Sequence, residues 1–63
     1  MTQKELAYVE DAIGHEESII KICDDSINKL EDESLKEFMQ SEINIHTSMK
    51  EKLMSLLEVK SNE

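Results

Sequence analysis

Apolar residues recur at alternating steps of three and four along almost the whole of this 63-residue chain. That spacing keeps one stripe on one side of an α-helix, and it does not fit a strand, whose side chains alternate with a period of two. Nothing in the sequence interrupts long helices, since there is no proline and Gly14 is the one glycine. The first stripe reads Leu6, Val9, Ile13, Glu16, Ile20, Cys23, Ile27 and Leu30, and the second Leu35, Met39, Glu42, His46, Met49, Leu53 and Leu56. Between them the pattern breaks at Glu31-Asp32-Glu33-Ser34. Thr2 and Glu5 have the spacing of a capping box, and Asp32 is a good N-cap that places Glu33 near the positive end of a second helix. The expected fold is all-α: one domain over residues 1–63, an antiparallel two-helix hairpin. Its helices span about residues 3–30 and 33–59, with a turn at about 31–33, and Ser61-Asn62-Glu63 should fray.

A chain of this size buries only ~60% of its unfolded surface and is marginal alone. Disulfides, a metal or self-association usually supply what is missing. Cys23 is the only cysteine, so no disulfide forms within the chain. A hairpin can bury one stripe per helix, yet each helix carries more. The first adds Ala12, Ile19 and Ile22. The second adds Phe38 and Ile45 on one flank, with Ile43, Met54 and Leu57 on the other. Helices with two apolar rows suit a four-helix bundle, in which each contacts two neighbours. Two copies related by a two-fold axis would build one. The expected assembly is a homodimer with its core shared between chains.

The net charge is −8, from fifteen acids against seven lysines. Such a chain repels nucleic acids and anionic lipid, and with Tyr8 and Phe38 as the only aromatics it has no base-stacking platform. The longest apolar run, Leu6-Ala7-Tyr8-Val9, is far too short to cross a membrane. One unpaired cysteine and no secretory signal fit a reducing cytoplasm.

Three ionisable residues lie on the stripes: Glu16, Glu42 and His46. A two-fold dimer would hold four carboxylates and two imidazoles, the inventory of ferritin-like di-metal sites, although there the Glu and His are three apart and here they are four. If the chain folds back at Asp32-Glu33, residues at equal height have numbers summing to roughly 65. His46 then lies ~4.5 Å from Glu16 along the axis, and Glu42 ~10 Å from it and level with Cys23. A Glu16–His46 contact follows; a full carboxylate cage does not. The favoured role is a buried polar pair that fixes register and oligomeric state. The alternative is a bound iron, manganese or zinc ion. His15, beside the stripe, is expected at the surface or an interface, where Asp11 or another chain's Glu42 could pair with it. Gly14 is expected to mark close approach of a neighbouring helix or a slight bend. Cys23 should be an inert buried thiol, and the methionines flexible core filling. No nucleophile–base–acid set, phosphate loop or zinc spacing is present, so no enzymatic activity and no cofactor are expected.

At "LAYVEDAIGHEESIIK", "LEDESLKEFM" and "IHTSMKEKLMSLL" the chain resembles the small ferritin-like hairpins known as clostridial spore coat proteins, the coat F group. The similarity covers about residues 3–57. Members open with a leucine, a tyrosine and Glu-Asp-Ala-hydrophobic-Gly, then a glutamate two residues on. Here these are Leu6, Tyr8, Glu10 to Gly14, and Glu16. Their second helix begins near an aspartate, as at Asp32. A His-x-x-His often precedes a leucine-rich end; His46 matches the first histidine and Met49 stands at the second. The resemblance implies a structural or interaction protein of the spore coat, whose partners are itself and other coat proteins. Short sporulation hairpins that dephosphorylate response regulators are similar in size and charge. Their Ser-Gln-x-Leu-Asp motif is missing, since Gln40-Ser41-Glu42-Ile43-Asn44 lacks the closing aspartate.

Overall fold

A computed structural model gives the backbone of residues 1–61 and the side chains through Glu58. Two helices, α1 (Gln3–Ile27) and α2 (Glu33–Ser61), pack against each other as a hairpin, with no strand among the described residues. Asn62 and Glu63, expected to fray, lie outside the described residues, and Ser61 is helical. Both helices start where the sequence places a cap. The Glu5 amide donates to Thr2 Oγ1 at 3.0 Å while the Thr2 amide donates to Glu5 Oε1 at 2.8 Å. These bonds satisfy two donors that a helix start otherwise leaves open. At α2 the Leu35 amide donates to Asp32 Oδ1 at 3.0 Å.

The end of α1 departs from expectation. The helix stops at Ile27, three residues before Leu30. The amides of Lys29 and Leu30 both donate to the Ser26 carbonyl at 3.0 Å, a tightened last turn that replaces the usual glycine cap. Leu30 still sits half-buried at the foot of the hairpin. The apolar rhythm runs through it, but its backbone has left the helix.

The molecule measures 48 × 16 × 11 Å and is one helix layer thick. Of the described residues, Cys23 alone is buried, and no side chain is fully so. Around it, half-buried Val9, Ile13, Ile20 and Ile27 on α1 meet Met39, Ile43, Leu53 and Leu57 on α2. The contact stripe of α2 is rotated from the expected row. Ile43, Lys50 and Leu57 turn inward, leaving Leu35, Met49 and Leu56 exposed by 48%, 43% and 48%. Leu6, the first member of the α1 row, is 38% exposed.

Gly14 is not held by a close neighbour within the hairpin. A Cβ built there meets nothing within 4 Å, and its backbone is ordinary helix. Glycine in a helix interior is less stable than alanine by roughly 0.5–1 kcal/mol. Gly14→Ala should therefore raise unfolding stability by about that amount, read as a higher urea midpoint at unchanged m-value. A lower midpoint would show that another helix of the assembly presses on this position.

Candidate functional site

At mid-length a histidine joins the two helices. His46 of α2 has its Nδ1 2.5 Å from Glu16 Oε2 of α1, and its Nε2 3.3 Å from Glu42 Oε2, one turn back on its own helix. The spacing of four puts Glu42 and His46 on the same side of α2, and the hairpin brings Glu16 opposite. The side chains of His46 and Glu16 are 20% and 12% exposed, and Glu42 is more open at 30%. The numbers of Glu16 and His46 sum to 62, close to the roughly 65 expected of an antiparallel pair that folds at Asp32-Glu33. Both carboxylates reach the same ring from different sides.

This arrangement favours the charged ring. As an imidazolium, His46 donates one N–H to each carboxylate, and such charge-assisted bonds are the stronger kind. Its pKa lies above the usual histidine value. The main cause is the hydrogen bond that His46 donates to Glu16, partly opposed by desolvation and helped by the charges of Glu16 and Glu42.

The same geometry decides how a metal could be held. Glu16 occupies Nδ1, on the opposite side of the ring from Nε2, so one ion cannot join all three residues. Among the described residues no group of three or more histidine, cysteine, aspartate or glutamate side chains could hold a metal ion. The pair Nε2 and Glu42 Oε2 is different. Their 3.3 Å separation equals, to about 0.1 Å, the edge of a tetrahedron with ~2.0 Å bonds to zinc. Glu16 would then be no ligand; it would hold the Nδ1 proton and orient the ring, the usual partner of a metal-bound histidine.

A second link between the helices, Lys50 Nζ to Glu17 Oε2 at 3.1 Å, was not among the sequence candidates. Its signal was present: Glu17 follows the seam residue Glu16, and Lys50 stands one turn after His46. Glu17 is 56% exposed, so the pair contributes little energy, at most ~1 kcal/mol, but it marks one flank of the hairpin. Cys23 is buried, as expected for a packing thiol. His15 is exposed on α1, and no helix is long and apolar enough to cross a membrane among the described residues. Comparison with family models, with curated proteins and with solved structures gives no match.

The raised pKa of His46 fixes the sign of a pH effect. A group whose folded pKa exceeds its unfolded value of ~6.5 contributes stability that is fully present below ~6.5 and lost as pH rises through the folded pKa. The melting temperature of the wild type, measured against His46→Gln from about pH 6 to pH 9 at fixed ionic strength, should lose ground steadily over that interval. A constant difference would mean that the ring stays neutral in the fold.

Proposed function

We propose that this chain is a non-enzymatic structural protein that acts as a homodimer, two hairpins forming a ferritin-like four-helix bundle. One observation carries the reading: among the described residues only Cys23 is buried, and no side chain is fully so, in a chain of this length. Protein domains need two packed layers around a core, and a lone hairpin supplies one. A second hairpin adds the missing layer. The spore coat is the setting that the sequence resemblance favours, with this chain itself and other coat proteins as partners, after synthesis in the cytoplasm. Within the bundle, Glu16 and His46 serve as a register-setting pair. Sedimentation at micromolar concentration should give twice the chain mass, with unfolding that shifts upward as protein concentration rises. A folded, concentration-independent monomer would end this reading.

The spacing of His46 Nε2 and Glu42 Oε2 supports a second reading, a metal-binding bundle in which each chain offers this pair and a second copy supplies the rest. Iron, manganese and zinc suit such ligands. Thermal melts with Fe²⁺, Mn²⁺ or Zn²⁺ separate the two, because a ligand that binds only the native state raises its melting temperature. On the structural reading no ion shifts the wild type. A shift abolished by both Glu42→Gln and His46→Ala would put the metal reading first.

A further inference from the structure

We propose that a second copy of this chain covers one particular side of the hairpin: the side formed by Tyr8 and Ile22 of α1 and Phe38, Ile45, Met49 and Leu56 of α2. The proposal rests on the homodimer reading above and adds which surface is buried.

The Glu17–Lys50 link fixes the geometry. It joins the two helices along one flank. At 100° per residue, Tyr8 lies about 180° around α1 from Glu17, and Ile22 about 140°. On α2, Phe38, Ile45 and Leu56 lie about 120–140° from Lys50, and Met49 about 100°. One side of the hairpin therefore carries the ion pair, and the other carries these six side chains from both helices. All six are exposed large apolar groups, and the three most exposed of the described residues are among them, Ile22 at 63%, Tyr8 at 60% and Phe38 at 56%. The ion-pair side carries two exposed groups of this kind, Met54 at 44% and Leu6 at 38%. The asymmetry is not an effect of helix ends, since the six span the hairpin from its open end at Tyr8 and Leu56 to near the turn at Phe38.

The area agrees with a second copy as the occupant. The chain has 4907 Å² of accessible surface, about 700 Å² more than the ~4200 Å² usual for a folded monomer of this size. A standard protein interface covers ~800 Å² on each partner. A copy of the same hairpin presents an apolar strip of equal length, and an antiparallel helix pair on a matching pair closes a bundle. A strongly acidic chain also disfavours the other large apolar surface, an anionic membrane.

Two methionines of α2 provide an internal comparison. Met49 and Met54 are five residues apart, so they lie about 140° apart around the helix. In a lone hairpin they are equally exposed, at 43% and 44%. Hydrogen peroxide oxidises accessible thioethers to sulfoxides, and peptide mass spectrometry resolves the two sites. In wild-type protein shown by sedimentation to be dimeric, Met49 should oxidise at least about tenfold more slowly than Met54. Ile45→Lys should weaken dimerisation at least about 100-fold, and Met54→Lys less than about threefold, because only the first buries an unpaired charge. A dimer in which Met49 and Met54 oxidise alike, or Met54 is the slower, overturns the assignment of this face and leaves the dimer standing. A monomer with both equally reactive overturns the dimer as well. The methionine comparison needs no variant, so it decides the question even if Ile45→Lys fails to fold.

Discussion

The bond from His46 to Glu16 is the most buried polar link between the two helices, and unlike the apolar contacts around it, it is directional. Burial of apolar surface has no preferred direction. Two long helices with a heptad pattern could slide by one repeat, about 10 Å, and still match apolar against apolar. Such a slip would leave the Glu16 carboxylate and the His46 ring without each other in a partly dry seam, and an unpaired buried charge is expensive. The same bond fits one rotation of α2. With His46 aimed at α1, the row Ile43, Lys50 and Leu57 turns inward beside it, and Met49, Leu56 and Ile45 turn away. Lys50 fits this half-covered place because its aliphatic stem can lie along the seam while its ammonium reaches Glu17. On the proposed reading, this polar contact at mid-length favours one register and one rotation over their neighbours.

Much of this was legible in the residues. The two helices follow from the three-four spacing, and both starts follow from Thr2, Glu5 and Asp32. The Glu16–His46 contact follows from the height of each residue in an antiparallel pair. What the spacing could not locate was the end of α1. Leu30 keeps the apolar rhythm whether it is the last helical residue or a turn residue folded under the hairpin, and periodicity does not distinguish the two. The role of Glu42 was hidden for another reason: reasoning about heights looked for its partner across the seam, level with Cys23, and its contact is with His46 one turn away on its own helix. The choice between the two apolar rows of α2 was also beyond pattern. Leu35, Met49 and Leu56 are as apolar as Ile43 and Leu57, so apolar spacing alone does not choose between the rows.

A hairpin one layer thick explains why such a chain keeps a polar pair where leucine would pack well. Leucine at Glu16 would add apolar area to a seam with little of it. It would also remove the feature that makes one alignment better than its neighbours, and a uniformly apolar stripe in a small bundle admits shifted and higher-order assemblies. Fixing rotation within the hairpin has a consequence outside it. The observed rotation gathers Tyr8, Ile22, Phe38, Ile45, Met49 and Leu56 on a single side, away from Glu17 and Lys50. The polar seam thus lowers the apolar content of the hairpin interior while organising the surface on which a second layer can form.

The structural and metal readings meet at a single proton. When His46 bridges Glu16 and Glu42, both ring nitrogens carry hydrogen, and Nε2 has no lone pair to give an ion. A metal on Nε2 and Glu42 must take that proton's place, so binding would release it and grow stronger as pH rises. Glu16 acts alike in both states, since in each it accepts from Nδ1 and holds the ring. Its carboxylate therefore does not distinguish a register device from a metal-site support. Glu42 does: in the first state it neutralises an imidazolium, and in the second it is a ligand. Its greater exposure, and its position on the side of α2 toward Met49 and Ile45, leave it the member of the trio most open to a second chain.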